Sequence, residues 1–346
     1  MNKNLIALAV TAALVVPAAA SAADVEVYGK ARASVGFVMN GQETDGQSDS
    51  EISITSHDSY VGVKGSEDLG NGLSAVYQVE SMVDLDNGGG SFATRNSFVG
   101  LSGGFGTVLL GNHDTPYKLA TKKMDVFSDT HADYTGAGVN KTHDARSENV
   151  LAYVSPKMGS VSFIGAYVSD FGGDDDLDGT DPDDHMSAIS LAGLLDLGQF
   201  SGSLAFQKVD NVSGDDSYDA TKLGLTYNVN DAAAVNFIFE TTELGDNDQD
   251  NIYLSGSFGI SDATTLKAAF GMRGEQGGAD DTEGTYFAIG ASTMMSKSTE
   301  LYAQYTAVDN DAGGNAALKH VTAAGDADGT EASALTVGIN VAFSSK

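Results

Sequence analysis

Three features of this 346-residue sequence carry residue types that could do chemistry. Gly100-Leu101-Ser102-Gly103-Gly104 fits G-x-S-x-G, which in a hydrolase exposes a serine on a strand-to-helix elbow beside a histidine and an acid. Here the serine runs from an alternating stretch into a glycine-rich turn with no helical pattern behind it, so it reads as a β turn. Asp174, Asp176 and Asp178 are spaced like the start of a helix-loop-helix calcium site, but His185 stands where the bidentate twelfth-position acid belongs. That run is kept as a weak calcium site and nothing stronger. The six histidines show no metal-ligand spacing, so no zinc site is assigned. With no nucleophile set beside a base and no cofactor motif, neither enzymatic chemistry nor a cofactor is expected.

The charges that remain informative lie inside alternating segments. Val25, Val27, Ala31, Ala33 and Val35 share one strand face; Lys30, Arg32 and Ser34 share the other. If the apolar face meets lipid, an outward Lys or Arg near mid-membrane would cost roughly 2–4 kcal/mol, so Lys30 and Arg32 point to the interior.

These residues must be held by strands, because one rhythm persists to the end of the chain. Segments such as Leu301-Tyr302-Ala303-Gln304-Tyr305 and Leu335-Thr336-Val337-Gly338-Ile339 have one greasy and one wet face. Sixteen strands are expected, near 25–38, 51–64, 72–83, 92–102, 106–112, 147–154, 160–169, 186–195, 200–208, 219–227, 234–242, 251–259, 264–272, 284–293, 299–307 and 334–343. The gaps alternate short and long. Short ones are rich in turn residues, as in Ser102-Gly103-Gly104-Phe105 and Ser155-Pro156-Lys157-Met158-Gly159. The apolar faces are rich in Gly and Ala, which would leave voids in a sandwich core but suit a wall facing lipid. The fold class is therefore all-β, a transmembrane antiparallel β-barrel of sixteen strands.

The ends and composition agree. Lys3, the apolar run 5–16 and Ala20-Ser21-Ala22 form an export signal over 1–22, leaving 23–346 as a single barrel domain. No cysteine is present, so no disulfide supports the exported chain. The net charge of −30 falls mostly in the long connections and excludes nucleic acid as a partner. The densest acidic runs, 174–179 and 246–250, are expected there. The longest connection, about 113–146, holds Pro116, Tyr117, Phe127 and Tyr134; a loop so aromatic packs on something, and in a barrel that is the inner wall.

Several stretches closely resemble the Gram-negative general-diffusion porins, the neisserial and other proteobacterial branch in particular. They are Val27-Tyr28-Gly29-Lys30, the run 59–72 opening Ser59-Tyr60-Val61-Gly62, the run 95–107 opening Arg95-Asn96-Ser97-Phe98-Val99-Gly100, and Gly111-Asn112-His113-Asp114-Thr115-Pro116-Tyr117. The resemblance implies a homotrimer in the outer membrane whose third long loop folds inward and narrows the lumen. It implies a basic wall facing loop carboxylates: Lys30, Arg95 and Arg146 match wall positions, Arg32 joins them by parity, and Asp125 and Asp129 are the loop candidates. Tyr60 stands where many relatives carry another arginine, which thins the basic side. Relatives finish on an aromatic residue read by the barrel-assembly machinery; here Phe343 is followed by three more residues.

The expected function is a water-filled channel for passive diffusion of small hydrophilic solutes and ions, mildly cation-selective because of its acidic mouths. Outer-membrane lipid and lipopolysaccharide are the expected surface neighbours, with a divalent-ion bridge to lipopolysaccharide at Asp174, Asp176 and Asp178 kept only as the weak calcium candidate. A substrate-specific channel is the alternative, and a plugged-barrel adhesin or enzyme the more remote one.

Overall fold

The computed structural model describes residues 25–40, 50–139, 142–171, 186–213, 216–245, 247–277, 280–320 and 331–346. The leader at 1–22 and the Asp174, Asp176 and Asp178 run lie outside the described residues.

The strands are β1 (Glu26–Asn40), β2 (Ser50–Ser56 continued by Tyr60–Gly70), β3 (Leu73–Val83) and β4 (Gly90–Ser91 continued by Ser97–Gly103). Then come β5 (Gly106–Asp114), the short helix α1 (Pro116–Thr121), β6 (Arg146–Val154), β7 (Val161–Val168), β8 (Ser187–Asp196) and β9 (Phe200–Ser213). The series closes with β10 (Asp216–Asn230), β11 (Ala233–Leu244), β12 (Asn247–Gly259), β13 (Thr264–Arg273), β14 (Gly284–Met294), β15 (Thr299–Asn310) and β16 (Ala332–Ser344). Two staves are interrupted, so the 18 paired segments make sixteen staves. Each pairs antiparallel with its chain neighbours, and β16 returns to β1 from Tyr28↔Ser344 to Asn40↔Ala332, closing the barrel with no free edge.

Alternation settles which way each stave faces. On β12, Gln249, Asn251, Tyr253 and Ser255 are buried while Ile252 and Leu254 are exposed. The same holds on β16, with Ala334 and Thr336 buried and Leu335 and Val337 exposed. The exposed set forms an apolar outer belt, including Phe37, Ile54, Leu110, Phe163, Leu204 and Phe287. Lys30, Arg32 and Ser34 share the inward parity. Among the described residues no helix is long and apolar enough to cross a membrane; the strands do that work.

One rim has tight turns, such as Gly70-Asn71-Gly72, where Asn71 and Gly72 take φ +55° and +74°. Two connections at the other rim are shorter than the sequence predicts. β9 and β10 extend to Ser213 and from Asp216, and β11 and β12 to Leu244 and from Asn247. The acids Asp248 and Asp250 therefore lie in a strand rather than a loop. Hairpin hydrogen bonds hold a strand pair beyond the apolar belt, where the alternation that marks it in the sequence has faded.

Candidate functional site: the loop-lined constriction

The third long connection, 115–145, starts on a built-in cap. Thr115 Oγ1 accepts from Lys118 N (3.3 Å) and Pro116 occupies the first turn, so α1 needs little help to form. Its contacts then run to inward-facing side chains around most of the wall. Tyr117 N donates to Ser190 Oγ on β8 (3.0 Å) and Tyr117 Oη to Glu240 on β11 (2.8 Å). Ser255 on β12 donates to Met124 O (2.6 Å), Tyr286 on β14 to Ala132 O, and Gln304 on β15 to Thr130 (3.0 Å). Met124, Phe127, Tyr134 and Val139 pack with Ile238, Tyr253, Tyr286 and Val308 into one apolar cluster. Gly138 is required there, because a Cβ would meet the Tyr253 ring at 2.7 Å. The loop thus lies inside the barrel. Its return leg is pinned by a buried ion pair, Lys222 Nζ to Asp144 Oδ1 (2.7 Å), with the ammonium also 4.1 Å over the Tyr117 ring.

Against the opposite wall the loop meets the basic residues. Arg32 pairs with Asp129 (2.8 Å), which joins the first stave to the loop tip. Residues 57–59, the interruption of β2, wrap Arg32: His57 N donates to Arg32 O, Arg32 N to Ser59 Oγ, and the Arg32 guanidinium to Asp58 O (3.0 Å). Asp58, at φ +49°, aims its carboxylate at Arg95 (3.2 Å) and Lys319 (3.0 Å). Tyr60 lies between the two arginines, its ring centre 4.9 Å from the Arg95 guanidinium carbon and 5.9 Å from that of Arg32. Tyr60 therefore spaces two guanidinium groups and contributes cation–π attraction. Arg146 joins Lys122 and Lys118 around Asp114, at 3.1, 2.7 and 3.8 Å.

The structure places the expected residues unequally. Arg32, Arg95, Tyr60 and Asp129 come together. Arg146 binds the Asp114 cluster, and Lys30 sits on the inward face of β1 opposite Tyr60. Asp125 is turned away: it is buried and accepts from Phe127 N (2.9 Å), Tyr134 N (3.2 Å) and Tyr253 Oη (3.1 Å). Burial, reinforced by the charge of Asp133, holds its carboxyl well above the usual range. It is a loop anchor, a role that loop sequence alone does not distinguish from a pore-facing acid.

Sequence reasoning missed Asp58, Asp114, Lys222, Glu240, Lys319 and Glu80, which lies 3.8 Å from Arg95 and accepts from Tyr28 Oη (2.7 Å). A charge at inward parity mid-strand is the signal that would have found Lys222 and Glu240. It also missed that the histidines gather. His57, His131 and His320 stack edge-on with centroids 4.7 and 5.2 Å apart, where the β2 interruption, the third loop and the last connection meet. The last connection also folds in: Lys319 bridges Asp58 to Asp133 (3.1 Å), and Leu318 joins the loop's apolar cluster. Burial and the nearby His320 lower the His131 pKa to about 4, so its ring is neutral at pH 7. Among the described residues no His, Asp and Glu group has metal-binding geometry. Ser102 Oγ bonds Thr107 Oγ1 (2.9 Å) across a hairpin, not a histidine.

Comparisons with known proteins agree with this geometry. Residues 7–313 match the family model described as Gram-negative porin. The major outer membrane protein P.IB of Neisseria gonorrhoeae is 34% identical over 168 residues, 48% of this chain and 46% of that protein. The chain spans about half the length of the curated relatives it matches. Among solved structures, the anion-selective porin from Comamonas acidovorans superposes with TM-score 0.78 at 24% identity, over 93% of this chain and all of that one. The trimer form of OmpT from Vibrio cholerae gives 0.67 at 18% identity, over 93% and 100%.

Proposed function

Because the chain belongs to the Gram-negative porin family, we propose that it forms a water-filled outer-membrane channel for passive diffusion of small hydrophilic solutes and ions. The observation that carries this reading is the Arg32–Asp129 contact at 2.8 Å inside a closed barrel. It brings the loop tip onto the basic wall, so that basic side chains and loop carboxylates line one narrowing together. A solute there crosses a transverse field that orients dipoles and water while the wall itself does no chemistry. We further propose assembly as a homotrimer, folding by the barrel-assembly machinery, and contact with lipopolysaccharide at the outer rim.

Selectivity follows from two opposed fields. Exposed acids at the long-loop rim, among them Asp86, Glu243, Asp250, Asp280 and Asp281, enrich cations at the mouth. At the constriction Lys30, Arg32, Arg95, Lys118, Lys122, Arg146 and Lys319 outnumber Asp58, Glu80, Asp114, Asp129 and Asp133. Rim charges are screened within about 8 Å in physiological salt and about 3 Å at 1 M, partly buried ones much less. Mild cation preference is therefore expected in dilute salt and should fade as salt rises. The cation surplus at the constriction favours a second reading, anion preference throughout. Planar-bilayer recordings of the purified protein under KCl gradients test both. Conductance in groups of three steps, with a cation-directed reversal potential that shrinks with salt, supports the first. Anion-directed potentials at every salt replace it with the second, and silent membranes from folded protein overturn the channel.

A further inference from the structure

Beside the loop segment 126–130, on the tight-turn side of the constriction, the wall of β13–β16 and the loop line a small, partly open recess. Val126 and Phe127 roof it, and Lys267, Glu300, Gln304 and Asn340 line it. Lys267 lies three residues from the start of β13, Glu300 near the start of β15 and Asn340 near the end of β16, so all three sit toward the same rim. The two charges lie side by side as a loose ion pair. Lys267 Nζ and Glu300 Oε1 are 3.8 Å apart, beyond hydrogen-bond reach, and each side chain is one quarter exposed. Glu300 is held in place by Asn340, whose Nδ2 donates to Oε2 (2.9 Å), and by a hydrogen bond from Ser292, with Lys30 a second nearby cation; Oε1 is directed at Lys267. Gln304 is fixed by its bond to Thr130.

A preorganised cation and anion set side by side suit a ligand carrying both charges on neighbouring atoms, which would lie antiparallel against the pair. Its carboxylate would replace water at Lys267 and its ammonium would take Glu300 Oε1. Two charge-assisted bonds would form without disturbing the Asn340 anchor. The roof of Val126 and Phe127 would cover a small apolar side chain. A neutral sugar of equal size would gain neither bond, and a simple anion or cation only one.

We propose that this recess is a binding subsite for zwitterionic amino-acid-sized solutes, which pause there after passing the constriction. The inference rests on the channel reading above and names a substrate class for it. The test is excess current noise and partial block of the KCl conductance by L-alanine, by lactate, which lacks the ammonium, and by ethylammonium, which lacks the carboxylate. Saturable block by alanine is expected, with lactate and ethylammonium weaker by roughly tenfold or more, about the loss of one charge-assisted bond. Glu300→Gln and Lys267→Met should each weaken the alanine block by a similar factor. The double exchange Lys267→Glu with Glu300→Lys should retain it, with heat-modifiable gel mobility establishing that each barrel folds. Normal KCl conductance with no alanine block, or block unchanged in both single variants, overturns the subsite and leaves the channel standing. Absence of KCl conductance in folded wild-type protein overturns both.

Discussion

Replacing Lys222 by Met isolates one fully buried contact that docks the third loop. The Lys222 side chain is fully buried and that of Asp144 is 1% exposed, with 2.7 Å between charged atoms. Asp144 also accepts from Tyr134 Oη (3.2 Å). Methionine fills a similar volume over the Tyr117 ring, so the main effect is electrostatic. It strands a carboxylate that is buried from solvent, and breaking a buried pair this way costs about 3–5 kcal/mol. At about 1.36 kcal/mol per decade, the ratio of docked to undocked loop falls by roughly two to four powers of ten. The barrel itself has its sheet intact and should fold normally. Single-channel recordings should show frequent flicker, and limited proteolysis should cut within 115–145. Adding Asp144→Asn removes the stranded charge and keeps an acceptor for Tyr134, so the double variant should regain most of the quiet, protected state. Wild-type quiet and protection in Lys222→Met would refute the reasoning, as would a double variant no better than the single.

The two loop aspartates should separate by role: Asp129→Asn frees the Arg32 guanidinium and should move the reversal potential toward anions. Asp125→Asn, altering a wall anchor, should leave selectivity unchanged; equal shifts in both would contradict the placement. Acidification should loosen the loop. His131, with its pKa lowered to about 4, favours the docked state least where an undocked imidazole would be protonated. Docking strength is thus full above about pH 6.5 and declines through pH 4, by about 3 kcal/mol in the limit. His131→Asn should remove that residue's share of the decline in proteolytic protection measured from pH 7 to 4, the rest staying with His143, which burial lowers to about 3, and an unaltered profile would remove His131 from the account.

Several of these features were legible from residue order alone. The sixteen strands and the inward parity of Lys30 and Arg32 follow from a period of two, and the packing of the third loop on the inner wall from its length and aromatic content. Side chains that alternate between lipid and water leave that period in the sequence wherever the wall crosses the apolar belt. Beyond the belt the signal fades, so the extended β9–β10 and β11–β12 hairpins were not visible. What the tertiary structure alone decided is pairing across the lumen. Asp125 and Asp129 are four residues apart in one polar loop, and nothing local tells which faces Arg32 and which faces Tyr253. Lys319 reaches Asp58 and Asp133, and His57, His131 and His320 meet, only because closing the barrel brings the β2 interruption and two loops to one place. Parity is a short-range property of the backbone, whereas charge partners are chosen by the curvature of the whole sheet and by which buried groups must find a partner.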